Sequence, residues 1–177
     1  MRVKPLIAIP LIALALAGCS TQQPTQETST AAAQEQPLFS SDEEALAAAQ
    51  AAYANYLEVS DQIARDGGAN PERLKGLVSS QLFEEQKAGY LDVKSSGLLA
   101  QGSSHFDNFS IQSASADSIS NYVCLRLSEI RVIDDLGTDV TPSGRNDNLP
   151  LELRWQAIGG KLVLEKSEVW TGQNFCL

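Results

Sequence analysis

His105 and Asp107 are the residues whose types and spacing come nearest to acid–base chemistry. His105 is the only histidine in this chain of 177 residues, and one residue separates it from Asp107. Residues two apart on a β-strand share a face, so a strand here would place the imidazole beside the carboxylate. A carboxylate can orient a histidine that acts as a general base. The alternative, which we favour, is a surface histidine hydrogen-bonded beside Ser103 and Ser104, and we therefore assign no catalytic residue.

Six aromatic side chains are candidates for the lining of a ligand pocket, because pockets are commonly rich in aromatic residues. They are Tyr53, Tyr56, Phe83, Tyr90, Trp155 and Trp170. The alternative is that these rings form a packed core. We favour the core, because only 6% of the residues are aromatic and the chain is small.

The polar loop 134–148 is the place where a metal ion could find oxygen ligands. It is rich in Asp and Asn, but it lacks the alternating acidic positions, the central glycine and the final glutamate of a calcium-binding loop. A single histidine argues against zinc. The sequence has no phosphate-binding loop, nucleophile elbow or dinucleotide fingerprint. We therefore predict a solvated loop, no metal site and no cofactor.

Three helices are predicted in the first half of the domain. Ser41 followed by Glu44 is a capping box, and the long helix that it begins ends at the pair 67–68, both glycine. Asn and Pro at 70–71 predict a second, short helix. A third helix follows the serines 79–80 and ends before Gly97.

The pattern changes to strands after residue 97. Residues 149–157 alternate between apolar and polar side chains, which is typical of a half-buried strand. Gly159 and Gly160 predict a hairpin turn, and residues 162–170 predict the returning strand. Helices followed by antiparallel strands indicate an α+β fold, here a single domain over residues 41–177.

The N-terminus carries a basic, then apolar, then small-residue pattern that ends in Cys19. Arg2 and Lys4 precede an apolar run over residues 6–15, and residues 16–19 read Leu-Ala-Gly-Cys. The run is shorter than the ~20 residues of a membrane-spanning helix. This order resembles the signal peptide and lipobox of a bacterial lipoprotein.

The lipoprotein resemblance implies how the chain is processed and where it is held. A signal peptidase would remove residues 1–18, the sulfur of Cys19 would take a diacylglycerol thioether, and the new N-terminus would be acylated, for example with palmitate. Two or three acyl chains anchor a protein stably. The protein would then be exported and held on the outer face of the bacterial cytoplasmic membrane. The alternative is an ordinary secretory signal with a cysteine near its cleavage site.

Residues 19–40 have the composition of a flexible linker. Ser, Thr, Gln, Ala and Pro dominate, and large apolar residues are almost absent before Leu38. Such a segment cannot bury a core, and we predict that it is disordered. A flexible chain of ~20 residues spans roughly 25 Å, so it would hold the domain away from the bilayer.

Cys124 and Cys176 are the remaining cysteines once Cys19 is assigned to the lipid. An exported chain with two cysteines favours one disulfide. The segment after Trp170 is polar and would need a covalent clip to be held. The alternative is two free, buried thiols.

The charge of the chain limits its partners. It carries 13 basic and 22 acidic residues, a formal charge of -9. Such a surface repels nucleic acid and anionic lipid headgroups. We therefore predict no nucleic-acid partner, membrane contact through the lipid alone, and an envelope protein or polymer as the binding partner.

Two resemblances cover the domain. A long N-terminal helix, two shorter helices and a curved antiparallel sheet resemble the cone of the nuclear-transport-factor-2-like (cystatin-like) fold over residues 41–177. The sequences at 53–57, 66–68, 106–109 and 167–170, with the lipobox and Cys176, resemble a group of actinobacterial lipoproteins without an assigned activity.

These features lead to one functional expectation and two alternatives. The first is a lipid-anchored cell-envelope protein, non-enzymatic, that acts as a binding or interaction domain. The second is a module that holds a small apolar ligand in a cone cavity, as the fold resemblance implies. The third is an enzyme that uses His105 and Asp107.

Overall fold

The structure is a computed structural model that describes residues 39–176. The predictions for the signal peptide 1–18, for the lipid on Cys19 and for most of the linker 19–40 lie outside these residues. Two α-helices, a short 3-10 helix and six strands follow one another along the chain. They are α1 (Asp42–Arg65), the 3-10 helix (Pro71–Leu74), α2 (Ser80–Ser96), β1 (Leu99–Gln101), β2 (His105–Ala114), β3 (Ser118–Arg126), β4 (Arg131–Ile133), β5 (Asn148–Ile158) and β6 (Lys161–Val169).

Serine caps begin both α-helices. The hydroxyl of Ser41 accepts a hydrogen bond from the Glu44 amide at 3.2 Å, and Ser79 accepts one from the Leu82 amide at 3.2 Å. These bonds satisfy amides that have no partner inside the helix. After α1, Gly68 takes a φ of 76°, and a Cβ atom there would lie 2.1 Å from the Tyr90 carbonyl oxygen. Glycine is therefore what lets the chain pass this close to α2.

The second predicted helix, at residues 70–71, is present but is a 3-10 helix rather than an α-helix. Residues 71–74 form only one turn of 3-10 helix, and Asn70 makes no side-chain cap. The chain then leaves the helical path to pair with β6: Leu164 donates to the Leu77 carbonyl at 2.9 Å, and Ser79 donates to the Leu164 carbonyl at 2.8 Å. Pairing with the sheet edge thus replaces a longer helix.

The strands form antiparallel sheets, as the α+β prediction requires. A four-stranded sheet has the order β2-β3-β5-β6, and β1 pairs with β4 in a separate two-stranded sheet. Strands β5 and β6 are joined through Gly159 and Gly160, whose φ values are 58° and 78°. Strand β6 ends at Val169. The next residue, Trp170, lies beside Pro150 of β5 and donates to the Pro150 carbonyl at 2.8 Å. Proline has no N–H to return a second hydrogen bond, so the pairing of the two strands stops here.

The core lies between α1 and one face of the four-stranded sheet. Tyr53 of α1 is 1% exposed, and its ring centroid lies 5.1 Å from Phe106 and 6.3 Å from Trp155. Trp155 donates from its indole nitrogen to the buried side chain of Asn121 at 2.8 Å, so this polar group in the core is satisfied. Burying a large apolar side chain contributes about 1.5–3 kcal/mol, so each of the buried rings stabilises the domain substantially.

A β-bulge in β2 shapes the same core. Asp107 pairs with Cys124 and Ser110 pairs with Tyr122, so Asn108 and the residue after it face a single residue of β3. Asn108 has a φ of 49°, a left-handed conformation that asparagine tolerates better than most residues. The extra residue lets Phe106 and Phe109, three apart in sequence, stand with ring centroids 5.8 Å apart.

Candidate functional site

His105 and Asp107 each bind a different partner. Asp107 accepts two hydrogen bonds from the guanidinium of Arg126, at 2.9 and 2.8 Å. The Nε2 atom of His105 lies 3.0 Å from a carboxylate oxygen of Glu129, and 59% of the histidine side chain is exposed. The structure therefore does not bring the two residues together as a dyad, although both lie on β2.

His105 stands at a cleft between α1 and the start of β2. The cleft has a volume of about 320 Å³, and Asp61 and Arg65 of α1 line it with His105. The Asp61 carboxylate accepts hydrogen bonds from the amide and the hydroxyl of Ser104, at 2.8 and 3.0 Å. Arg65 donates to the Gly102 carbonyl at 3.0 Å. These groups fasten the loop before β2 to the helix.

A wider groove runs along the other end of α1. Its volume is about 710 Å³, and its walls are the small residues Ala48, Ala51 and Ala52 on the helix and the segments 75–77 and 160–162 opposite. Its larger lining residues are both apolar, such as Phe39 and Leu162, and charged, such as Glu44 and Lys161.

The predicted aromatic residues occupy three different environments. Tyr53 and Trp155 lie in the core, and burial raises the pKa of the Tyr53 phenol. Phe83 lies beneath the ammonium groups of Lys75 and Lys87, 5.1 and 5.4 Å from its centroid. These three rings are packing elements, as the core interpretation expected.

Tyr56 and Tyr90 lie between the two helices. The Tyr56 hydroxyl accepts a hydrogen bond from the Gln86 amide at 2.6 Å, and Tyr90 donates to the Ser60 carbonyl at 3.4 Å. Burial, reinforced by the neighbouring Tyr90, raises the pKa of Tyr56 to about 12. Both phenols therefore remain neutral at ordinary pH.

Trp170 does not join the other five residues, and that part of the pocket prediction was wrong. Trp155 pairs with Leu164, but Arg154 pairs with Lys166, so Glu165 is an extra residue in β6. This bulge reverses the alternation of the strand, because side chains on either side of one inserted residue change faces. Strict alternation of side chains from Leu164 onwards would place Trp170 on the core face of the sheet. Because of the bulge, Trp170 lies on the outer face.

The segment after β6 is fastened to that outer face. Cys176 and Cys124 form the predicted disulfide, with Cα atoms 5.4 Å apart. Arg126 donates to the Cys176 carbonyl at 2.9 Å, and Asn108 donates to the Phe175 carbonyl at 3.3 Å. Covalent and hydrogen bonds together fix the position of residues 175–176.

Three aromatic rings form what we call the tail platform: Tyr122, Trp170 and Phe175. The ring centroid of Tyr122 lies 4.7 Å from Trp170 and 5.5 Å from Phe175. An open cleft of about 480 Å³ adjoins the platform and is lined by Asn108, Phe109, Ser110, Tyr122 and Phe175. Sequence reasoning did not find this cleft. The one available signal was an asparagine inside a strand pattern, which is a position where bulges occur.

Within residues 39–176, no three His, Cys, Asp or Glu side chains converge closely enough to hold a metal ion. The carboxylate of Asp134 instead accepts hydrogen bonds from the amides of Leu136 and Thr138, at 3.0 and 2.7 Å. The aspartate in the polar loop therefore stabilises a turn in its own backbone.

Comparisons with known proteins add no family. No protein-family model matches the sequence, and no curated protein sequence matches it. In the part of the chain that the structure describes, neither helix is both long and apolar enough to cross a membrane.

Proposed function

We propose that the protein is a lipid-anchored, non-enzymatic binding domain of the bacterial cell envelope. Its anchor is the lipid on Cys19, and its place is the outer face of the cytoplasmic membrane. Residues 1–18 are the signal peptide, and residues 19–40 are the linker that separates the domain from the bilayer.

The disulfide between Cys124 and Cys176 is the observation that carries the proposal. Both half-cystines are buried, at 0% and 2% exposure, so the disulfide is enclosed by the fold rather than exposed at the surface. Disulfides persist in exported proteins and are rare in the reducing cytosol. A buried structural disulfide in a chain that begins with a lipobox pattern supports export followed by lipid attachment.

Binding is better supported than catalysis. Asp107 is engaged by Arg126 and His105 by Glu129, so neither is positioned to assist the other in proton transfer. The alternative of a small apolar ligand inside the cone is less well supported, because Tyr53 and Trp155 pack against one another where such a ligand would lie. The described surface offers open clefts that suit a larger partner.

The cone arrangement of the nuclear-transport-factor-2-like fold is part of the same proposal. It is supported by the packing of α1 on the four-stranded sheet through Tyr53, Phe106 and Trp155. The order of helices before strands agrees with it.

Membrane fractionation with intact mass measurement tests the proposed anchoring. The wild-type chain, expressed in a bacterium that lipidates its own lipoproteins, should sediment with membranes and lack residues 1–18. It should also carry the mass of a diacylglycerol group. Cys19→Ser should lose the lipid mass because an oxygen takes no thioether, and Ser20→Ala, which keeps the thiol, should behave as wild type. Wild-type protein recovered in the soluble fraction without a lipid mass would contradict the proposal.

A further inference from the structure

We propose that the cleft beside the tail platform binds a neutral polysaccharide through its pyranose rings. The cleft lies beside the outer face of the sheet, and it shares no lining residue with the groove along α1. This inference rests on the proposed function, because the cell envelope is where a tethered domain meets polysaccharide, and it names the polymer class that the domain recognises.

The lining of the cleft has the chemistry that a sugar ring requires. Tyr122 and Phe175 offer aromatic surface, and the C–H groups on one face of a pyranose carry the partial positive charge that the face of an aromatic ring attracts. The amide nitrogen of Asn108 is engaged by the Phe175 carbonyl, which leaves its side-chain oxygen as an acceptor, and Ser110 supplies a hydroxyl beside those rings. Few polar groups beside aromatic walls are typical of small-molecule sites, and the volume of about 480 Å³ lies within the usual range for such sites.

The aromatic surface is fixed before any ligand arrives. Phe175 precedes the disulfide-bonded Cys176, and its carbonyl accepts a hydrogen bond from Asn108 at 3.3 Å. The same Asn108 has a φ of 49°, so the bulge turns its side chain towards the tail. A site whose walls are already ordered loses less entropy on binding, which strengthens the association with a ligand.

Charge selects a neutral polymer over an anionic one. The chain has a formal charge of -9, and Glu152 stands opposite Tyr122 in the sheet register. The residues that line the cleft include no cationic side chain, and Arg126, on the same strand as Tyr122, is already paired with Asp107 at 2.8 Å. The net negative charge of the chain would therefore repel an anionic polymer, with no cation in the lining to offset it.

Affinity electrophoresis of the full chain, purified from membranes in detergent, tests the inference. The gels contain dextran, mannan or soluble starch as neutral probes, and polygalacturonate as the anionic probe. At least one neutral polymer should retard the wild-type protein, and polygalacturonate should not. Ser110→Glu fills the cleft and places a strongly hydrated carboxylate where the sugar ring would stack, and it should weaken the association constant at least tenfold.

Gln112→Glu is the matched control, because it adds the same charge on the same strand but outside the cleft lining, and it should stay within twofold of wild type. Thermal unfolding checks that each variant is folded, and Ser110→Gln, which fills the cleft without charge, replaces Ser110→Glu if the latter does not fold. The inference is overturned if no neutral polymer retards the protein, if only polygalacturonate does, or if Ser110→Glu binds as wild type. Those results would not contradict the proposed lipid anchor on Cys19. A protein that binds polysaccharide but carries no lipid would contradict only the proposed anchor.

Discussion

The guanidinium of Arg126 holds the carbonyl oxygen of Cys176 at 2.9 Å, and Arg126 lies two residues after the cysteine to which Cys176 is bonded. The end of the described chain is thus attached twice to one strand, by a covalent bond and by a charge-assisted hydrogen bond. Charge-assisted bonds are stronger than neutral ones, so the tail keeps a non-covalent contact even when the disulfide is absent.

Replacing Cys124 and Cys176 together by alanine should lower the free energy of unfolding by about 4 kcal/mol. The two residues are 52 apart, and the chain-entropy model gives that value for a loop of this length. Urea unfolding of the double variant and the wild type measures the difference. Alkylation of unfolded, unreduced wild-type protein should leave both cysteines unmodified, and modification of both would contradict the pairing.

The stability of the domain should fall in alkaline solution, partly through Tyr56. Burial raises the pKa of this phenol from its ordinary value of 10.0 to about 12. A group whose pKa is raised on folding stabilises the fold fully below the unfolded pKa, and that contribution is lost as the pH rises from 10 towards about 12.

Tyr56→Phe is the variant that isolates this contribution. Phenylalanine cannot ionise, so the loss of stability between pH 10 and about 12 should be smaller than in the wild type. At neutral pH the variant should be about 1 kcal/mol less stable, because the Gln86 amide loses its acceptor. Urea unfolding at a series of pH values gives both quantities, and parallel profiles for the two proteins would contradict the assignment.

His105→Ala should change the free energy of unfolding by no more than about 0.5 kcal/mol, because the side chain is exposed and its one ion pair is at the surface. Asp61→Ala in the same cleft is the comparison. It should cost about 1–2 kcal/mol, because the amide and hydroxyl of Ser104 lose their acceptor. A loss at His105 as large as that at Asp61 would show that the histidine has a role beyond its contact with Glu129.

Local signals in the sequence predicted local structure well. The capping serines at 41 and 79 and the glycine pair at 159–160 act within a few residues of themselves, so no knowledge of the fold is needed to interpret them. The disulfide was also predictable, because two of the three cysteines remain once Cys19 is assigned to the lipid, and two cysteines allow a single pairing. The α+β class followed from the order along the chain, in which helical patterns come first and strand patterns come after them.

Features that depend on residues distant in sequence could not be predicted from local patterns. The bulges at Asn108 and Glu165 are defined by the neighbouring strand, and each shifts the alternation of its own strand by one. The candidate pocket therefore included Trp170, which the second bulge turns to the opposite face. The pairing of Asp107 with Arg126 spans 19 residues and depends on strand register, which hydrophobic patterns do not specify at single-residue precision.

The sequence separation of the two half-cystines also determines how long Cys124 waits for its partner while the chain is being made. On the proposed export route, Cys124 emerges first, and its partner follows 52 residues later. At the usual pace of synthesis, ~5–20 residues per second, the interval is roughly 3–10 s. During that interval the Cys124 thiol is unpaired, and until β5 follows, β3 also lacks the strand with which it pairs. The nascent chain thus passes through a period in which the Cys124 thiolate can attack a foreign disulfide, forming a mixed disulfide and releasing the other sulfur as a thiolate. Rapid arrival of β5, β6 and Cys176 ends that period.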